Sequence, residues 1–275
     1  MCVIFISSIQ HIDGGYQLII ASNRDEYYNR QTLPANYWSE NPDIIGGRDL
    51  MLSNEGGTWL ALNIRGTLAA LLNVFELDKV PNAKSRGQLV KNFVKYNSSA
   101  LEYLQELQGS QDMYNGFKLI TITMSKSSLE TYFYTNFVQD GGPQMKRLQN
   151  GVQGFGNGPF LKVEAGEKRF KDIVKKYGHS LNKDTLIAEL LGLLKWDKLH
   201  YPDEELIKRT PKFPGTDDQK KFSSIFVEMP TRQYGTRTHT IILIDYDGKV
   251  EYNEWTKSGS IWNYQCYMTE LKCEI

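Results

Sequence analysis

Two apolar runs near the start of the chain constrain its fold most. "CVIFI" (residues 2–6) and "YQLIIAS" (16–22) are rich in β-branched and large apolar residues, with "DGG" (13–15) between them. They read as two paired strands joined by a turn. The runs are continuous rather than alternating, so both faces of each strand must be buried. A sheet covered on both sides needs a further layer on each.

The rest of the chain supplies those layers. "TWLALNIRGTLAALLNVF" (58–75) predicts a second hairpin around "IRG", while residues 31–57, with scattered Pro and Gly, read as mostly loop. Ser85 with Gln88, and Ser99 with Glu102, fit capping boxes that open two helices. Leu89, Val90, Phe93 and Val94 share one face of the first, and Tyr103, Leu104 and Leu107 follow in the second. Strands are expected at 117–124, 129–136 and 144–148, and a turn-dense loop at 150–159. Phe170, Ile173, Val174 and Tyr177 mark a third helix, and 184–196 a fourth that is apolar nearly all round. Residues 201–221 read as a polar excursion, and strands close the chain at 223–229, 238–246, 249–256 and 260–268, with "YDGK" (246–249) as a hairpin turn. The order is strands, two helices, strands, two helices, strands, with no linker and no repeat. This predicts a single α+β domain over residues 1–275. Two sheets packed face to face with helices outside each make a four-layer αββα sandwich; a three-layer sandwich is the alternative. The 275 residues can bury a substantial core unaided.

Composition excludes several function classes. Lys plus Arg and Asp plus Glu number 32 each, so net charge gives no case for a nucleic-acid partner. Cys2, Cys266 and Cys273 form no CxxC pair, which argues against a disulfide scaffold or a zinc site and fits a reducing compartment. No apolar stretch approaches the ~20 residues that span a bilayer, and "MCVIFISSIQHIDGG" has neither a secretory nor a transit character. A cytoplasmic protein with no transmembrane segment is expected.

Five features could carry chemistry. Cys2 follows Met1 directly. Removal of Met1 would leave a cysteine with a free α-amine, whose ordinary pKa near 8 makes it a usable base for the thiol; the plain alternative is a small hydrophobe opening a strand. In "IIASNRDEYYNR" (19–30), antiparallel pairing of the first two strands sets Asn23, Arg24, Asp25 and Glu26 beside Cys2. Asp25 could orient an amine and Arg24 favour a thiolate or an anion. The alternative is a charged loop exit, with Glu26 and Arg30 as ion-pair members. Asn73 ends "LAALLN" (68–73), where its amide could donate to an oxyanion or simply terminate a strand. Asn157 stands among glycines in "GFGNGP" (154–159), and Arg237 precedes a buried strand in "YGTRTHTIIL" (234–243). His11, His179, His200 and His239 are isolated and read as solvated or structural.

"MCVIF", "ASNRDEYYNR", "GGTWLALNIRGTLAALLN", "SRGQLV", "YNGFKLI" and "YGTRTHTIILID" resemble the NRDE family, the transport and Golgi organization protein 2 family, from residue 1 to about 256. The resemblance implies an N-terminal-nucleophile (Ntn) hydrolase-like αββα fold. It invites comparison with the penicillin-V-acylase and bile-salt-hydrolase group. That group's pattern would make Cys2 the nucleophile and set Asp25, Asn73, Asn157 and Arg237 around it as catalytic residues. In that group an Arg precedes the Asn; here Ser22 does, and Arg24 follows. The resemblance also implies a ligand-handling role: haem trafficking, or acyl-CoA and lipid binding, around Cys2. Asn23, Arg24, Asp25 and Arg237 would meet a small amphiphilic ligand, haem or acyl-CoA. No cofactor is required and no metal is expected, haem entering only as cargo. The other readings are an amidohydrolase acting on a non-peptide C–N bond and a scaffold in Golgi organisation and secretion. Peripheral association with mitochondria or with Golgi and ER goes with these roles.

Overall fold

The computed structural model describes residues 2–8, 14–51, 56–74, 80–96, 99–125, 128–137 and 143–273. Met1, His11, Asp13 and Phe75 lie outside them, and with them the expectations about Met1 removal, the first residue of the "DGG" turn and the end of the second hairpin.

In chain order the first strands are β1 (Val3–Ser8), β2 (Tyr16–Tyr27), β3 (Thr32–Trp38), β4 (Asn41–Asp49), β5 (Leu60–Asn63) and β6 (Thr67–Asn73). Helices α1 (Gly87–Tyr96) and α2 (Ala100–Gln108) follow, then β7 (Phe117–Met124), β8 (Leu129–Thr135), β9 (Gln144–Arg147) and β10 (Gly151–Gly156). Helices α3 (Leu161–Tyr177), α4 (Lys183–Leu194), α5 (Glu204–Arg209) and α6 (Asp217–Lys221) precede β11 (Glu228–Met229), β12 (Tyr234–Asp245), β13 (Lys249–Ser258) and β14 (Ile261–Glu270). The class is α+β.

The chain divides into two compact units. The first joins Met1–Asn29 with Asn150–Thr269. Its seven-stranded sheet runs β10-β1-β2-β12-β13-β14, with β11 added on β12. As the continuous apolar runs require, every residue of β1 and the first ten of β2 are buried. Helix α3 lies against β1 and β10, and α4 against β2 and β12. Phe170 of α3 stacks on Phe5 of β1 with ring centroids 5.8 Å apart.

The second unit joins Arg30–Gln149 with Glu270–Ile275. Its seven-stranded sheet runs β3-β4-β5-β6-β7-β8-β9, with α1 against β5 and β6 and α2 against β7 and β8. The predicted face of α1 (Leu89, Val90, Phe93 and Val94) is buried there with Leu104 and Leu107 of α2. Each such side chain contributes about 1.5–3 kcal/mol by leaving water. Gly66 turns β5 into β6 at φ +101°, a conformation that suits glycine.

Several expectations need correction. Residues 31–57 are not mostly loop: β3 and β4 pair there, because Gly46 lets β4 approach Leu60 of β5 more closely than a side chain would permit. Residues 151–156 form β10 instead of a loop, since their backbone completes the hydrogen bonding of β1. The polar excursion holds α5 and α6, capped by the side chains of Asp203 and Thr216. Ser99 makes no side-chain cap. Of "SSIFVEM" only Glu228–Met229 is strand. Helix α4 is buried on one side only, through Leu186, Leu190, Leu193 and Leu194.

Candidate functional site

The "NRDE" motif is neither a turn nor a loop exit. β2 continues through Tyr27, and its last residues stay paired with β12. β1 lies between β2 and β10, with Val3 opposite both Asn23 and Gly156. One residue further out, the antiparallel registers set Cys2 level with Arg24 on one side and Asn157 on the other. The sequence thus brings Cys2, Asn23, Arg24, Asp25 and Asn157 to one end of one sheet. All but Cys2, which is half-buried, are buried.

Asp25 is the hub. Its backbone N–H donates to Cys2 Sγ at 3.4 Å, and the Cys2 thiol faces the Asp25 carbonyl at 3.8 Å. Thr236 Oγ1 donates to Asp25 Oδ1 at 2.7 Å. That hydroxyl also accepts from Val227 N–H at 2.9 Å, which leaves its proton for the carboxylate. The Tyr234 hydroxyl donates to the Asp25 carbonyl at 3.5 Å. Burial pushes the Cys2 thiol up, and the Asp25 carboxylate pushes the same way, against the pull of the Asp25 N–H and Arg24. Burial, then Asp25 and Cys2, also raise Tyr234 well above the usual phenol value. Both groups are therefore neutral at physiological pH. Arg24 reaches Glu26 at 4.0 Å.

Lys162, in the first turn of α3, is completely buried, and its Nζ donates to the Ser224 carbonyl at 2.8 Å. Burial lowers its pKa to about 8, against the charges of Asp25 and Asp203, which favour the ammonium. Asn23 grips the neighbouring carbonyl: its Nδ2 donates to Ile225 O at 3.1 Å and to Leu194 O at 2.8 Å. Its Oδ1 lies 2.6 Å from His239 Nδ1. With both amide hydrogens used, Oδ1 accepts, which fixes the imidazole proton on Nδ1. Burial drops His239 to about 3, so the ring is neutral; it stacks on Trp262 at 4.4 Å. His239 is a structural core residue and not a solvated one.

Two further expected residues lie on other strand ends. Arg237 occupies the bulge where the β2–β12 register shifts, and its Nη1 donates to the Tyr27 carbonyl at 3.0 Å, at the exposed end of β2. Asn73 is the exposed last residue of β6, in the second unit, opposite Phe117.

Lys162, Thr236 and Tyr234 were not singled out by sequence. Lys162 had a signal: it sits four and eight residues before Gly166 and Phe170, on the buried face of α3. A lysine on an apolar helical face is a buried lysine. Thr236 and Tyr234 had none, because a bulge decides which of them meets Asp25. Among the described residues, no group of three or more His, Cys, Asp or Glu could hold a metal ion.

The profile of the family described as Transport and Golgi organisation 2 matches residues 1–258. The chain belongs to the Transport and Golgi organisation 2 family. It is 34% identical to the human Transport and Golgi organization protein 2 homolog, an alignment covering 99% of this chain and 100% of that protein. It is 34% identical to the Bos taurus homolog (94% of each chain), and 35% identical to Transport and Golgi organization protein 2 of Drosophila melanogaster (94% and 93%). Among solved structures, a mutant conjugated bile acid hydrolase from Clostridium perfringens aligns over 100% of this chain and 99% of that one, at TM-score 0.45 and 9% identity. A likeness of that degree carries no argument about chemistry. The matched residues include the Asn23–Glu26 stretch, which lies on β2 beside Cys2. Among the described residues, no helix is long and apolar enough to cross a membrane.

Proposed function

We propose that this protein handles a small amphiphilic ligand, haem or an acyl-CoA-like molecule, at the end of β1 around Cys2, Arg24, Asp25 and Asn157. The observation that carries this reading is the state of Cys2. Its sulfur is held between the Asp25 N–H and carbonyl, and burial keeps the thiol protonated. A neutral, half-buried thiol beside a guanidinium suits contact with a soft or apolar group and an anionic one. It does not suit attack on an amide, which needs the thiolate. The finer architecture, a four-layer αββα sandwich of the Ntn-hydrolase type, is part of this proposal. It is supported by the presence in each unit of one sheet with helices against it. Titration of the purified protein with haem and with a long-chain acyl-CoA tests the role. Binding that Cys2→Ala or Arg24→Met weakens supports it, and no binding tighter than high micromolar sinks it.

A second reading, a cysteine amidohydrolase, draws on one observation: the registers set Asn157 level with Cys2, where its amide could serve an oxyanion. It requires a freed α-amine on Cys2. Intact mass of protein from its native host decides the point, since retained Met1 rules that mechanism out.

A further inference from the structure

A groove away from Cys2 lies between the C-terminal half of α3, the start of β2 and the start of β10. Its volume is about 490 Å³, within the range of small-molecule sites. Tyr16, Ile19 and Val174, all buried, make an apolar floor. The wall is fastened by Ser180 N–H donating to the Gly14 carbonyl at 2.7 Å and by the bridge between Gly15 and His179.

Lys171 and Lys175 stand over this floor. They are four residues apart on α3, so they share one helical face, where like charges repel. Both are exposed, and among the described residues neither makes an ion pair or a hydrogen bond. Lys175, in the last turn, complements the helix dipole. Lys171 lies beyond the reach of that effect; Glu167, one turn earlier on its face, accepts from Gly154 N–H at 2.7 Å, and no carboxylate lines the groove itself. Lys176 also borders the groove, and its Nζ lies over the Tyr177 ring at 4.8 Å. Of the carboxylates near Tyr16, Glu251 is paired with Lys183 at 2.9 Å, and Asp245 and Asp184 do not line the groove. An apolar floor under two unopposed cations is complementary to one apolar chain with one anionic head.

We propose that this groove binds a single fatty acid, with the carboxylate between Lys171 and Lys175 and the alkyl chain along Tyr16, Ile19 and Val174. The site is separate from the Cys2 cluster and stands without the reading given above. The full chain is titrated with dodecanoate below its micelle concentration, followed by calorimetry and by chemical shifts of the α3 amides. The expected result is saturable binding that Lys171→Glu plus Lys175→Glu weakens about tenfold or more, roughly the loss of one charge-assisted contact. Cys2→Ala should leave it unchanged, and dodecyl maltoside, with an uncharged head, should bind about tenfold weaker or worse. Both lysines are exposed, so circular dichroism of the double variant should match the parent. Equal binding by the double variant or by the uncharged amphiphile overturns the proposal. So does loss of dodecanoate binding in Cys2→Ala alone, which would move the ligand to the Cys2 site. Binding to anionic phosphatidylserine vesicles without binding of monomeric dodecanoate also overturns it, in favour of a membrane surface.

Discussion

The two units share a plan and differ in what they bury. Each is a seven-stranded sheet with helices against it. Among described residues, the second buries hydroxyls, one Asn and one Asp (Thr58, Asn63, Thr67, Thr121, Thr131, Thr135 and Asp43) and no cation. The first buries Arg24, Asp25, Lys162, Asp203, Arg209, His239 and Glu254. Buried ionisable groups cost stability unless matched, and they cluster where chemistry is done. The second unit is thus built as a scaffold, and the first carries the groups that can act on a ligand.

Acid should break this symmetry first. His239 folds with a pKa near 3 against an ordinary 6.5. The unfolded chain binds its proton through that interval and the folded one does not, so stability falls as pH drops from 6.5 towards 3. Full titration would withdraw on the order of 5 kcal/mol. All the described histidines, His179, His200 and His239, belong to the first unit. Hydrogen exchange at falling pH should show its peptides opening before those of the second, and His239→Gln should flatten the difference. Simultaneous opening with a flat His239→Gln comparison would remove the electrostatic contrast.

Asn23→Ala comes next. It strands two buried carbonyls, Leu194 O and Ile225 O, and the His239 N–H. A loss of roughly 3–5 kcal/mol in denaturant unfolding is expected. Asn63→Ala in the second unit removes one donor to Val94 O and one acceptor from Arg65 N–H, and should cost about 1–2 kcal/mol. Equal losses would mean that the network of the first unit is no more demanding than an ordinary cap.

How far the sequence shows this contrast depends on the element. Continuous apolar runs gave away β1, β2, β6 and β12, because burial on both faces leaves no room for polar alternation. Pairing of the first two strands then brought Asn23, Arg24 and Asp25 to Cys2, a consequence of antiparallel register alone. β3, β4 and β10 were hidden because their strand state comes from partners: "TLPANYW" and "GVQGFG" have little β-propensity of their own. Asn23 shows the limit at the site. Its spacing located it, but only tertiary packing shows that its amide is committed to Leu194 and Ile225. Lys162 and Thr236 join the cluster across more than a hundred residues, which no local period encodes.

Lys162 gives a smaller effect with the opposite sign to acid. Its folded pKa is about 8 against an ordinary 10.5. From pH 8 to 10.5 the unfolded chain holds more protons, so the wild type should gain stability as pH rises, by up to about 3 kcal/mol. Lys162→Met has no such group, and the difference between the two proteins should move in favour of the wild type across that window. A difference independent of pH would mean that Lys162 keeps its ordinary pKa and that water reaches it.

The smallest effect tests the second unit. Asp43 accepts from Arg65 and from Lys272, each at 2.7 Å, and these two bonds hold its carboxyl below the usual range. Both cationic side chains are about 60% exposed, at 61% and 60%. Water and salt screen such a pair, and two long side chains lose rotamer freedom to form it. Arg65→Ala should therefore cost no more than about 1 kcal/mol, and less in high salt. Lys272 still partners Asp43 after the substitution, so no buried group is abandoned, whereas Asn23→Ala strands two buried carbonyls. A salt-independent loss of several kcal/mol would show that the second unit also depends on a desolvated charge, and the division of labour between the two sheets would then rest on Asn23, His239 and Lys162 alone.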